Sequence, residues 1–419
     1  MEDQINLSHL YLTRFQKAQN VLADLVCNPR PEAGLVHTPT EIAQQPHLWR
    51  WTSRYMADNA GKLHAFLQKS GLFGGNKRPM VVLTGAGTSD FAGQSLKDLY
   101  RVAFHTCTEN WPTTRITANP GDFFNNSQQY VLIHFARSGN SPESKAVLEM
   151  TLRKFPEKVH HVVITCNRDG ELAQISCENP DKVFLLSLHE DSNDKGLAMT
   201  SSFSSMIVAG QAIAHLGVMD AFVKTIDNIA LAAEYFLDMF ADEIYEMASP
   251  DINRAFFLGN KDLLGAATES ALKVQELTAG QLLAKSDDTL GFRHGPISAV
   301  DTGSLVCFFL SEDPLTRKYE FDVIKQYNKA FSDLGANTVV IGSNHKSLFD
   351  NMDVKYLSYD PEARWGVPVY LQVNIAVLFG QLFGMFQASR RGINVDDPST
   401  EKATYNRVVQ GVHLYDEES

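Results

Sequence analysis

One series of short apolar runs occurs twice in this chain, and that duplication constrains the fold more than any other feature. The first half carries PMVVLTG (79–85), QYVLIHF (129–135), HHVVITC (160–166) and KVFLLSL (182–188). The second half carries RAFFLG (254–259), SLVCFFL (304–310), NTVVIG (337–342) and VKYLSY (354–359). Runs that are apolar on both faces read as buried parallel strands, and the first four are followed by helix-like segments at 91–103, 142–154, 170–177 and 201–216. Landmarks recur in order: Gly196, Gly210 and Gln211 pair with Gly366, Gly380 and Gln381, and Gly85 and Ser138 pair with Gly259 and Ser311. A repeat of that length predicts an α/β chain of two sister domains, each a doubly wound parallel sheet flanked by helices. The expected divisions are a helical N-terminal arm at 1–49, domains at 50–225 and 235–390, and a C-terminal arm at 391–419. In the arm, TPTEIAQQP (38–46) carries a helix start, with Thr40 as cap and Glu41 in the first turn.

Charge narrows the class of partner. With 49 acidic and 37 basic side chains the net charge is −12, and no run of Lys and Arg offers a stripe for a phosphate backbone. Nucleic acid is therefore not an expected partner, although a local site on an acidic protein can still bind an anionic metabolite. The five cysteines (Cys27, Cys107, Cys166, Cys177, Cys307) are odd in number and lack CxxC spacing, which suits buried thiols in a reducing compartment. The start of the chain has no secretory h-region. The most apolar stretch, Val367 to Phe386, is interrupted by Gln372, Asn374 and Gln381. A soluble cytoplasmic protein without membrane contact is expected.

Two loops of the first half are loaded with hydroxyls. TGAGTSDFAG (84–93) follows the first strand and opens a helix, so Gly87, Thr88 and Ser89 lie where backbone amides and hydroxyls can bind an anion. FARSGNSPES (135–144) follows the second strand with Arg137, Ser138, Asn140 and Ser141. Either loop alone is accounted for by a glycine turn with a capping hydroxyl. Two on adjacent strands point into one crevice at the carboxyl ends of the sheet and favour a phosphate pocket. The spacing is not GxGxxG and no Walker lysine is present, so the phosphate is expected to be a substrate handle and not a transferred group. AMTSSFSSM (198–206) adds Thr200 and Ser201 as an expected pocket wall.

The second half exchanges hydroxyls for ionisable groups. In ATESALKVQEL (267–277), Glu269, Lys273 and Glu276 share one helix face. A solvated salt-bridge face is the bland account; Ala266, Ala267, Leu272 and Leu277 instead mark a helix that buries much of its surface. In FRHGPIS (292–298), His294 precedes Gly-Pro on a loop. A carboxylate that moves a proton between neighbouring carbons and an imidazole that opens a sugar ring are the groups enolisation needs. Neither metal nor cofactor is expected, since no His/Cys/Asp cluster has ligand spacing.

Taken together, TGAGTS, ARSGNSPES and ESALKVQEL…RHGP resemble the sugar isomerase (SIS) family, above all the isomerase half of glucosamine-6-phosphate synthase, over about residues 40–410. TEIAQQP, the ARSGNSPES loop and the C-terminal arm resemble the AgaS-type galactosamine-6-phosphate deaminase/isomerases within it. The resemblance implies that Thr88, Ser89, Ser138 and Ser141 bind phosphate and sugar; Gly87, Arg137, Asn140, Thr200 and Ser201 join them as candidates from their places in the three loops. It further implies that Glu276 shuttles the proton, that Glu269 and Lys273 frame it, and that His294 opens the ring across a subunit interface of a homodimer or larger homo-oligomer. Lys402 lies close to the synthase's C-terminal lysine. Ala136 and Arg137 stand where the synthase loop has Ser and Gln, Asn140 replaces a Glu, and residue 2 is Glu where a glutaminase has its Cys nucleophile. Release of ammonia is thus the implied direction: galactosamine 6-phosphate and water to tagatose 6-phosphate. The alternatives are a plain aldose–ketose isomerase, a fructosamine-type deglycase, or a non-catalytic sugar-phosphate-binding regulator.

Overall fold

Each apolar run becomes a strand of one of two five-stranded parallel sheets in the computed structural model, which describes residues 19–74, 78–331, 336–398 and 415. The described chain falls into two units, one of 51–193 with 201–224 and 415, the other of the residues up to 50 with 194–200 and 225–398. The first unit holds β1 (Met80–Thr84), β2 (Thr108–Asn110), β3 (Tyr130–Ala136), β4 (Val159–Thr165) and β5 (Val183–Ser187), in the order β2-β1-β3-β4-β5. The other holds β6 (Arg254–Leu258), β7 (Leu283–Asp287), β8 (Ser304–Phe309), β9 (Asn337–Gly342) and β10 (Lys355–Ser358), in the order β10-β9-β8-β6-β7. Counted within each unit these are the same order, and both reverse direction between the first and third strands (β1/β3 and β6/β8). That reversal opens a crevice at the carboxyl ends of those strands.

The central strands are apolar on both faces because helices cover both. Val82 pairs with Leu132, and together with Ile116, Tyr130 and Val147 they form one layer of the first core. Phe256, Val306, Phe308, Ile324 and Tyr327 do the same in the second. The edge strands β2 and β7 were not among the apolar runs. β2 is three residues long and β7 is the mixed LAKSD, with Leu283 exposed, as suits a sheet margin.

The repeated glycines mark places where backbone meets backbone or side chain. A Cβ on Gly210 would sit 2.3 Å from a Leu96 methyl, and one on Gly380 2.3 Å from Ser270 Cβ. In both units, therefore, this glycine lets the last helix lie against the helix that follows the first strand. Gly384 continues the second seam, near Lys273 O and Val274. Helix Gln372–Arg390 is buried on nearly every side. The segment Val369–Arg390 is long and apolar enough to cross a membrane by composition, and 89% of its most apolar window is packed inside the protein.

Two expectations need correction, the Thr40 cap and the burial of the thiols. The arm helix is Thr38–Ala43 rather than one capped by Thr40; Asp396 caps it from far along the chain, accepting from the backbone amides of Val36, His37 and Thr38. Glu41 does lie in the first turn of that helix, but it is buried there and accepts from the amides of Lys195 and Gly196. Burial, reinforced by Asp194, raises its pKa to about 8 against the pull of those two amides. Among the cysteines, Cys166 and Cys307 are buried, but Cys27, Cys107 and Cys177 are exposed; all are free thiols.

Candidate active site

The hydroxyl-rich crevice of the first unit is built by two strand-to-helix turns. After β1 the chain turns at Gly87 with φ 57° and ψ −128°, a conformation open to glycine and costly for residues with a Cβ. Helix Thr88–Phe104 then starts at once, so the amide end of its dipole and the hydroxyls of Thr88 and Ser89 lie beside the crevice. Both side chains are buried. The helix start is fixed to edge strand β2 by the Asn110 amide, which donates to Asp90 at 2.8 Å. Burial raises the Asp90 pKa, and this hydrogen bond and Arg115 oppose it.

After β3 the chain turns through Arg137–Ser141 into helix Pro142–Lys154. Asn167 Nδ2 donates to Ser138 O at 2.9 Å, and Asn140 Oδ1 accepts from Glu171 N at 2.9 Å. Asn140 thereby fastens the loop to the start of the next helix and is itself exposed. Ser138 accepts from Asn140 N at 3.3 Å, and the Ser141 hydroxyl donates to Glu143 at 2.8 Å. Arg137, Ser138 and Ser141 are half-buried. Thr200 and Ser201 differ from these, for both are fully buried. The Thr200 amide and hydroxyl donate to Asp194 at 2.8 and 3.1 Å, so its hydroxyl serves the fold.

The second unit presents charge where the first presents hydroxyls. Helix Asp262–Leu277 carries Glu269 and Lys273, both with side chains 0% exposed, and Glu276, whose side chain is 30% exposed. Lys273 Nζ lies 3.3 Å from Glu269 Oε1 and 2.5 Å from Glu276 Oε2. This is no solvated face. Burial alone would lower the Lys273 pKa, but Glu269 and Glu276 outweigh it and the ammonium is held above its ordinary value. Buried charges of this kind are costly to fold, so a cation fixed between two carboxylates, one of them open to solvent, points to chemistry. The arrangement depends on Gly380 and Gly384, whose missing side chains admit the helix.

His294 closes the short turn Gly291–His294, which is anchored by fully buried Phe292. The imidazole is exposed. Lys402 lies outside the described residues. Among the described residues no group of three or more His, Cys, Asp or Glu is placed to hold a metal ion.

No family model matches the chain. Curated relatives do. A D-galactosamine-6-phosphate deaminase, AgaS, of Escherichia coli is 35% identical over 384 residues, covering 90% of this chain and 95% of its own. A protein of the same name from Shewanella sp. (strain ANA-3) is 32% identical over 391 residues, covering 91% and 92%. Among solved structures, a tagatose-6-phosphate ketose/aldose isomerase from Escherichia coli superposes with TM-score 0.80 at 31% identity, covering 91% of this chain and 97% of its own. The C-terminal domain of glucosamine-fructose-6-phosphate aminotransferase from Francisella tularensis shares the fold, with TM-score 0.70 at 16% identity over 86% of this chain and 98% of that one.

Proposed function

The chain belongs to the AgaS family of galactosamine-6-phosphate deaminases, and from that premise we propose that it converts D-galactosamine 6-phosphate and water to D-tagatose 6-phosphate and ammonia. The observation that carries this reading is Glu276, a half-exposed carboxylate held by a buried ammonium on a buried helix. A base that must take a proton from carbon needs to reach substrate while its own position stays fixed.

In this reading the hydroxyls of Thr88, Ser89, Ser138 and Ser141 and the amides of the two turns take the phosphate. Arg137 supplies the one positive side chain of those loops. His294 opens the ring, and its exposure on a rigid turn supports delivery to a neighbouring subunit in a homodimer or larger homo-oligomer. Glu276 removes the C2 proton of the open-chain aldehyde, exchanges it with solvent through its open side, and delivers a proton to C1. C1 becomes a hydroxymethyl carbon and C2 an imine. Water adds to C2, the C–N bond breaks, and ammonia leaves the ketose. Lys273 holds the Glu276 carboxylate in place through their ion pair, and Glu269 balances Lys273. A cytoplasmic setting, where sugar phosphates are found, belongs to the same proposal.

The test is ammonia release from a panel of amino-sugar 6-phosphates. Galactosamine 6-phosphate should give ammonia and ketose phosphate in equal amounts. Isomerisation of a neutral sugar phosphate with no ammonia from any amino sugar would select the isomerase instead, and binding without turnover would select the regulator.

A further inference from the structure

The crevice at the strand reversal exists in both units, and in the second a side chain of the protein itself bridges its two loops. The second copy keeps the geometry of the first. After β6 the chain turns at Lys261 with φ 51° and ψ −126°, within a few degrees of Gly87 at φ 57° and ψ −128°. A residue with a Cβ pays strain energy for that backbone. Gly259, like Gly85, packs against the residue four positions on: a Cβ would lie 2.6 Å from Leu263 O in one case and 2.6 Å from the Ser89 carbonyl carbon in the other. After β8, Ser311 stands where Ser138 stands after β3.

What fills the second crevice is a carboxylate of the chain itself. Glu320 is 1% exposed. Its Oε1 accepts from Asn260 Nδ2, of the loop after β6, at 2.7 Å. Its Oε2 accepts from Ser311 N, of the loop after β8, at 2.7 Å. One carboxylate thus takes one donor from each of the two loops that bound the crevice, which is how an oxyanion ligand would be held. The guanidinium of Arg317 lies one turn earlier on the same helix and donates to the carbonyls of Ser311 and Glu312 at 3.2 and 3.0 Å, bracing the loop.

The corresponding position of the first unit shows that an acid is not required for packing. Glu320 comes six residues after Pro314, and six residues after Pro142 stands Leu148, fully buried. Burial drives the Glu320 pKa up to about 7 despite the donors from Ser311 and Asn260 and the charge of Arg317, with Asp313 adding to the rise. A leucine would fold there without that cost.

We infer that the β6/β8 crevice is an oxyanion site occupied internally by the Glu320 carboxylate, which keeps external anions out of the second unit. Cutting the side chain back vacates a place for a small carboxylate. This rests on the duplication and the hydrogen bonds and not on the substrate reading. Formate is the probe, because inorganic phosphate would also act at the first unit's loops if those hold the substrate phosphate.

In Glu320→Ala, formate should raise the unfolding midpoint saturably, by about 3 °C or more over chloride at equal ionic strength. Wild type and Glu320→Gln, whose crevices stay filled, should respond no more to formate than to chloride. Glu320→Ser, with a smaller void, is measured in the same way should the alanine variant fail to fold. Equal formate responses in wild type and truncated variants, or none in either truncated variant, would overturn the inference. A wild type that ignores phosphate would count against the first-unit phosphate loops alone.

Discussion

Lowering the pH should unlock the first sheet through a pair of buried histidines. His134 of β3 and His161 of β4 are 1% and 0% exposed, and His134 Nε2 lies 3.0 Å from His161 Nδ1. That contact requires one ring to donate and the other to accept, so the accepting ring must be neutral. Burial lowers the His134 pKa to about 3. Burial also lowers that of His161 well below its ordinary value, with His134, His160 and Lys182 adding to the effect. Both groups therefore bind fewer protons folded than unfolded. Their contribution is complete above the unfolded value of about 6.5 and is lost as pH falls below it, down to the folded value. For His134 alone, moving from pH 8 to pH 5 removes about 2 kcal/mol, since the unfolded ring is protonated at pH 5 and the folded ring is not. His161 acts in the same direction.

Amide hydrogen exchange on Leu132 and Val163, in β3 and β4, reads this locally once corrected for the intrinsic pH dependence. Their opening free energy should fall over that range by at least the His134 amount. In His134→Leu/His161→Leu the fall should largely vanish. An unchanged fall in the double variant, or no fall in wild type, would refute the reasoning.

Three further perturbations follow from the second unit. Lys273→Leu leaves Glu269 buried without its cation and should lower stability by about 3–5 kcal/mol in chemical denaturation, whereas Glu269→Gln/Lys273→Leu should recover part of it. Gly380→Ala places a methyl against Ser270 and should cost about 1–3 kcal/mol and reduce kcat by displacing the helix of Glu276; adding Ser270→Gly should restore both. Lys261→Gly removes a strained backbone and should raise stability by about 1 kcal/mol, with the melting temperature as readout.

The sheets were legible because apolar runs on both faces have few other uses, and the helices followed from the turns between them. β2 and β7 were not, since short edge strands carry polar residues and no period. The charged triplet at 269, 273 and 276 was legible as a shared face on a helix that Ala266, Ala267, Leu272 and Leu277 marked for burial, but what buries it was not. That burial comes from Gly380 and Gly384, more than a hundred residues away. Glu41, Asp396 and Glu320 escaped for a related reason: an acid on a helix or in a polar tail reads as solvated until a distant amide or loop is known to meet it. The one available signal for Glu320 was its match to Leu148 across the duplication. Thr200 shows the converse, a hydroxyl in a suggestive cluster that an unforeseen Asp194 had already engaged.

Transfer of the C2 proton by Glu276 is tested most directly in D2O. Wild-type enzyme with galactosamine 6-phosphate should place deuterium at C1 of the tagatose 6-phosphate, seen by NMR, while ammonia accumulates. Glu276→Gln, folded normally by circular dichroism, should lose both by about 10²–10⁴-fold. Ammonia and labelled ketose forming at the wild-type rate in that variant would contradict the account.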